Sequence, residues 1–163
     1  MRWGVITITK KRQQQFSFSQ PVLTNGKVPL IRCADLTKFK TLRKIDQPDV
    51  KIVENLGGTN LNFAKETIHY AQIIIVKNNK LPFEYLLNRK ADVMFTDSIE
   101  ASYRHSLMPE LCPVNINNPL THSNKAYMMQ KSNIQLKTAV NKWIANIKNN
   151  GQLENIKKSY GLT

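Results

Sequence analysis

The chain has 163 residues, 41% of them apolar, with 24 Lys and Arg against 11 Asp and Glu and a net charge of +13. That apolar fraction suits a folded domain of ordinary size and excludes a disordered or collagen-like chain, and no apolar run approaches the roughly 20 residues of a membrane span. The adjacent cations, Lys10-Lys11-Arg12, Arg43-Lys44, Arg89-Lys90 and Lys157-Lys158, are scattered along the chain, so the charge reads as a solvated basic surface that attracts anionic ligands, not as a nucleic-acid footprint.

The β-branched run Val5-Ile6-Thr7-Ile8-Thr9 predicts a strand, the basic stretch after it a turn, and Phe16-Ser17-Phe18-Ser19 a second extended piece that Pro21 ends. Asn25-Gly26 is a turn signal, Val28 to Cys33 a third strand, and Thr41 to Asp46 a short helix closed by Gln47-Pro48. A regular alternation follows: strand Val50 to Val53, the Gly57-Gly58 turn, helix Thr59 to Tyr70, and strand Ala71 to Val76. Then come a helix opened by Pro82, strand Ala91 to Phe95, and a new helix near Asp97. Strands alternating with helices predict a parallel α/β sheet over residues 34–118. Pro113, Pro119 and several Asn mark a connection to a strand at Ala126 to Met129. A helix then carries Leu136, Val140, Trp143, Ile144 and Ile147 to a C-cap at Gly151, and a last helix spans Leu153 to Tyr160. The flanks 1–33 and 119–163 do not close a sheet by themselves, so the chain reads as one full lobe plus part of another.

Several residues carry candidate chemistry. Cys33 and Cys112 have no second Cys or His at metal-ligand spacing, which leaves a long-range disulfide or two buried thiols. Gly57-Gly58-Thr59-Asn60 leads into a helix whose free N–H groups suit an anion, although Thr59 is equally an N-cap residue. Asp97 and Glu100, three residues apart after a parallel strand, point toward the carboxyl edge of the sheet, where open α/β sheets bind ligands. The same pair is also a capping-box pattern.

The segment Ile6-Thr7-Ile8-Thr9-Lys10-Lys11-Arg12-Gln13 with Phe18-Ser19-Gln20-Pro21 resembles bacterial extracellular solute-binding proteins of family 3, and within them the cyclohexadienyl dehydratases. The likeness continues in order through Ile45-Asp46-Gln47-Pro48, Gly57-Gly58-Thr59-Asn60, Ala91 to Ala101, Pro109-Glu110-Leu111-Cys112 and Lys125-Ala126-Tyr127. It implies a periplasmic-binding-protein-like, two-lobe α/β fold with a ligand cleft, the second lobe a complete parallel sheet and the first partial. Relatives begin with a signal peptide and the first half of lobe one, and Met1-Arg2-Trp3 has no signal-peptide character. The expectation is therefore an N-terminally truncated copy, periplasmic by family and cytoplasmic as written. Apolar faces exposed at Trp143, Ile144 and Ile147 would then promote self-association.

The implied activity is decarboxylating dehydration of prephenate to phenylpyruvate, or of arogenate to phenylalanine, with no metal or organic cofactor. Glu100 falls at the family's proton donor, which must be protonated to act. Arg12 matches the arginine that grips a ligand carboxylate bidentately. Thr7 keeps a hydroxyl where relatives have Ser. Asn55 matches a pocket asparagine, with Leu56 in place of the usual proline. Thr59 and Asn60 line the anion turn, Asp97 contacts a ligand amino group in amino-acid-binding relatives, and Lys125 adds positive charge. Cys33 and Cys112 coincide with cysteines of the subgroup, implying a bridge in an oxidising compartment. His69, His105 and His122 match no family site and are read as surface residues. The alternative is an amino-acid-binding component that partners an ABC permease, or an inactive fragment; the ligand in each active case is a small carboxylate or amino acid.

Overall fold

In the computed structural model, residues 5–160 are described; Met1-Arg2-Trp3, read for a leader, lies outside them. The elements run β1 (Val5–Thr7), α1 (Lys10–Gln15), β2 (Phe16–Phe18), β3 (Leu23–Asn25), β4 (Lys27–Arg32) and α2 (Leu42–Ile45). Next come β5 (Lys51–Asn55), α3 (Gly58–Thr67), β6 (Gln72–Val76), α4 (Leu81–Leu87), β7 (Val93–Asp97), α5 (Ser98–Leu107) and β8 (Leu111–Pro113). The chain closes with β9 (Ser123–Gln130), α6 (Ile134–Asn149) and α7 (Gln152–Ser159). The basic stretch expected as a turn is helix α1, because Thr9 caps it by accepting from the Arg12 N–H at 3.3 Å.

Two compact units result, one reaching Asn25 and resuming at His122, the other spanning Gly26–Thr121. In the first, β9 pairs antiparallel with β1, β2 and β3. Helix α6 buries Ile144 and Ile147, correcting the expectation that these would lie open, whereas Trp143 is 47% exposed and meets the ring of Tyr127 edge-on. Gly151, at φ +76°, takes the left-handed conformation that turns α6 into α7.

The second unit holds a five-stranded sheet in the order β6-β5-β7-β4-β8. Strands β5, β6 and β7 are parallel, as crossover helices α3 and α4 require. The sheet is not parallel throughout, however: β4 runs antiparallel to both β7 and β8. It enters before the first crossover, and a continuous apolar strand carries no mark of its direction. β4 also corrects the domain boundaries. Expected with residues 1–33, it is instead inside the second sheet, and Leu120 and Thr121, expected with 119–163, are tied to it. The Leu120 N–H donates to the Lys27 carbonyl at 2.8 Å and the Lys27 N–H to Thr121 Oγ1 at 2.9 Å. Gly26 is required by this crossing rather than by a hairpin, since a Cβ there would sit 1.9 Å from the Thr121 carbonyl oxygen.

Side chains alternate across this sheet into two cores. Val28, Leu30, Val53 and Met94 pack with Phe83, Leu86 and Ala101 on one face; Ile31, Ile52, Val93 and Phe95 pack with Phe39, Ile45 and Ala64 on the other. A disulfide joins Cys33, just past β4, to Cys112 in β8 across 79 residues. No helix among the described residues is long and apolar enough to cross a membrane.

Asp46 clamps the chain between α3 and β6. Its carboxylate accepts from the backbone N–H groups of His69 (3.1 Å), Tyr70 (2.7 Å) and Ala71 (2.9 Å). Burial pushes its proton affinity up, but the hydrogen bonds from Ala71, Tyr70 and His69 outweigh that and hold the carboxyl below its ordinary 3.8. The stabilisation is therefore present above that value and lost as pH falls through the depressed one. Asp46→Ala is expected to cost about 1–2 kcal/mol at pH 7 in urea melts, and the gap from the parent should close as the pH is taken well below 3.8.

Candidate functional site

Strand direction decides where the site forms. The parallel strands β5 and β7 end at Asn55 and Asp97, and because β4 runs the other way, its first residue, Lys27, pairs in register with Asp97 at that same edge. A cavity of about 200 Å³ opens there, with the glycine turn, Thr59, Asn60 and Asn79 around it, Phe83 and Met94 as apolar lining, and Asp97 and Glu100 on its wall.

Gly57 and Gly58 have φ of +81° and +86°, and a Cβ on either would meet nothing within 4 Å. They are needed for the backbone turn, which costs other residues about 1–2 kcal/mol, and not for space. Gly57 is the N-cap of α3, so Thr59 lies inside the first turn of the helix and its side chain does other work. Its Oγ1 accepts from Lys27 Nζ at 2.8 Å, and Asn60 Oδ1 accepts from the same ammonium. Asp97 Oδ1 is the third partner, 2.7 Å away. Lys27 is only 7% exposed, and this cage of three oxygens replaces the water it has lost.

The capping-box reading of Asp97 and Glu100 fails on geometry. Asp97 is the N-cap residue of α5 but makes no side-chain cap bond; its carboxylate holds Lys27. Glu100 Oε2 accepts from the buried Thr96 hydroxyl at 2.7 Å, and Oε1 lies 3.5 Å from Arg104, one turn along the helix. Arg104 in turn stacks over the Phe83 ring, 4.2 Å from its centre. Asn55 turns its amide back to the Leu56 and Gly57 carbonyls at 3.4 and 3.5 Å, bracing the glycine loop. Leu56, which departs from the family's proline, donates its N–H to Val76 at 2.8 Å, a bond that proline lacks.

The remaining expected residues gather in the first unit. Thr7 of β1 pairs in register with Lys125 of β9, whose Nζ lies 3.4 Å from the Thr7 hydroxyl. Arg12, half-buried, donates from one guanidinium nitrogen to the Thr7 carbonyl at 2.7 Å. The structure thus forms two clusters: Thr7, Arg12 and Lys125 in one unit; Asn55, Thr59, Asn60, Asp97 and Glu100 in the other.

Sequence reading missed the lining residues Asn79, Phe83 and Met94 and, beside the cavity, the buried Lys27 and Glu54. Lys27 hides at the start of an apolar strand, and only its pairing with Asp97 reveals it. Glu54 is fully buried one residue before Asn55. Its Oε1 accepts from the Phe95 N–H at 2.6 Å, while Oε2 has no hydrogen-bond partner among the described residues. Burial pushes its carboxyl up to about 8, against the opposing pull of the Phe95 N–H and the Lys27 charge, and the Glu100 charge pushes the same way as burial. The one available signal was a carboxylate directly after the apolar pair Ile52-Val53 in a strand.

The family model described as bacterial extracellular solute-binding proteins, family 3, matches residues 1–163. The cyclohexadienyl dehydratase of Pseudomonas aeruginosa is 39% identical over 139 residues, covering 85% of this chain and 52% of that protein. The chain therefore spans about half the length of this curated relative. Among solved structures, an ancestral amino-acid-binding protein described as a precursor of cyclohexadienyl dehydratase superposes with a TM-score of 0.84 at 29% identity, covering 96% of this chain and 66% of that one. An ancestral cyclohexadienyl dehydratase superposes with a TM-score of 0.58 at 40% identity, covering 95% and 64%.

Proposed function

The chain belongs to family 3 of the bacterial extracellular solute-binding proteins, and from that premise we propose that it descends from, and retains the chemistry of, the cyclohexadienyl dehydratases. The observation that carries this reading is the Lys27–Asp97 pair at 2.7 Å. In an amino-acid receptor of the resembled kind the aspartate takes the ligand's ammonium. Here a built-in ammonium already occupies it and neutralises its charge, so the site gains little from a second cation arriving as part of the ligand. A ligand with carboxylates and no ammonium fits better, which favours prephenate over arogenate and over free amino acids.

In the proposed reaction the ring carboxylate of prephenate leaves as carbon dioxide, its bonding electrons aromatise the ring, and the ring hydroxyl departs. Glu100, which takes up a proton from solvent in each turnover, delivers it to the departing hydroxide to give water. Phe83 and Met94 offer the ring an apolar surface. The N-terminus of α3 and Lys27 supply positive charge for a carboxylate, and Arg12 and Lys125 keep, from the resemblance, the role of carboxylate anchors. The Cys33–Cys112 bridge agrees with a periplasmic setting.

The second reading, an amino-acid-binding protein serving an ABC permease, is favoured by the likeness to the ancestral amino-acid-binding protein. Calorimetry and a phenylpyruvate assay on the chain separate the two. Prephenate is expected to bind and be converted, with Lys27→Gln weakening its binding about tenfold or more, while L-arginine and L-glutamate do not bind. Tight binding of an amino acid without conversion of prephenate would establish the receptor instead.

A further inference from the structure

The geometry points to a metal site away from the cavity: we propose that, once the Cys33–Cys112 disulfide is reduced, the two thiolates and His105 bind Zn²⁺. The cysteine sulfurs and one ring nitrogen of His105 all lie within 4.8 Å of one another. They come from three elements, the turn after β4, β8 and the last turn of α5, which is why their positions at 33, 105 and 112 carry no metal spacing in sequence. Tetrahedral zinc holds sulfur and nitrogen at about 2.0–2.3 Å, so its ligands stand roughly 3.5–4 Å apart. Reaching that arrangement needs side-chain adjustments of the order of an ångström, and breaking the sulfur–sulfur bond gives the thiolates that freedom.

A backbone contact sets the tautomer of His105. Its Nδ1 lies 2.7 Å from the Leu111 carbonyl oxygen, which can only accept, so Nδ1 carries the proton and the lone pair is on Nε2. A carbonyl holding the other ring nitrogen of a histidine is the usual outer support of a zinc ligand. The backbone is tied as well, the Cys33 N–H donating to the Glu110 carbonyl at 2.8 Å. Both cysteines are half-buried and His105 is exposed, which leaves a fourth position open to water. Two thiolates cancel the charge of the ion, so the net positive charge of the chain does not oppose it.

The chemistry balances as follows. An external dithiol supplies two electrons and two protons and becomes a disulfide, the protein disulfide becomes two thiols, and zinc displaces two protons to solvent. Bridge and metal are therefore mutually exclusive occupants of the same place.

The test uses Co²⁺ as a spectroscopic stand-in, added to the full chain after reduction by a phosphine and its removal under anaerobic conditions. One equivalent should give thiolate-to-cobalt charge-transfer bands and the visible bands of four-coordinate cobalt, which Zn²⁺ then bleaches. The oxidised protein should give neither, Cys112→Ser should abolish the thiolate bands, and His105→Ala should weaken binding at least tenfold. Zn²⁺ should also raise the melting temperature of the reduced chain and not that of its His105→Ala variant, a readout that stands if reduction loosens the fold. Absence of the bands, an unchanged affinity in His105→Ala, or a reduced chain whose melting zinc does not alter would each overturn the proposal.

Discussion

Glutamine at position 54 is expected to flatten the dependence of stability on pH. The Glu54 carboxyl is driven from its ordinary 4.5 to about 8, chiefly by burial. A group whose folded value is raised adds stability that is fully present below its unfolded value and is lost as pH rises through the folded one. For Glu54 the loss begins near 4.5 and is complete a little above 8. At 1.36 kcal/mol per pH unit, it amounts to something on the order of 5 kcal/mol. The physical cause is the fully buried side chain with its unpartnered Oε2, which tolerates a neutral acid and penalises an anion. Glutamine keeps the acceptor for the Phe95 N–H and cannot ionise. Urea melts from about pH 5 to 9 should therefore give curves that cross. Near pH 5 the parent should equal or exceed Glu54→Gln, which carries an unsatisfied amide worth about 1–3 kcal/mol; near pH 9 the variant should be the more stable by a few kcal/mol. Two parallel curves would mean that Glu54 is not a buried neutral acid.

Glu100→Gln carries the second large effect, and it follows from the dehydratase reading. Glutamine fills the same space and still accepts from the Thr96 hydroxyl, but it has no proton to give. Conversion of prephenate should fall about 10²–10⁴-fold, the usual worth of a positioned acid, while calorimetric affinity for prephenate changes by no more than a few-fold. The fold should be nearly indifferent. Glutamine forgoes only the ion pair with Arg104, one helical turn away at 3.5 Å, and the Glu100 carboxylate in that pair is 39% exposed. Such pairs are worth only a few tenths of a kcal/mol. A variant with normal melting and normal turnover would remove Glu100 from the chemistry. One that binds prephenate far more weakly would recast it as a binding residue.

Much of this protein is local, and what is local was readable. Apolar runs such as Ile73-Ile74-Ile75-Val76, the Gly57-Gly58 turn and Pro82 at a helix start each reflect preferences of a few neighbouring residues, so the alternation of strands and helices stands in the sequence. The ordered motifs likewise carry the family, and with it Asp97, Glu100, Asn55, Thr59 and Asn60 as members of one site. What the chain order could not express was the direction and partners of a strand. β4 looks like any buried strand, yet its antiparallel entry between β7 and β8 moves the domain boundary to Asn25 and brings Lys27 onto Asp97. The same packing buries Glu54 and gathers His105 with the two cysteines. Sequence determined which residues could do chemistry, because side-chain type and helix or strand period are local properties. Tertiary structure decided which of them are neutralised, buried or placed together, because charge, desolvation and ligand geometry depend on distances between residues that the chain holds as much as 118 positions apart.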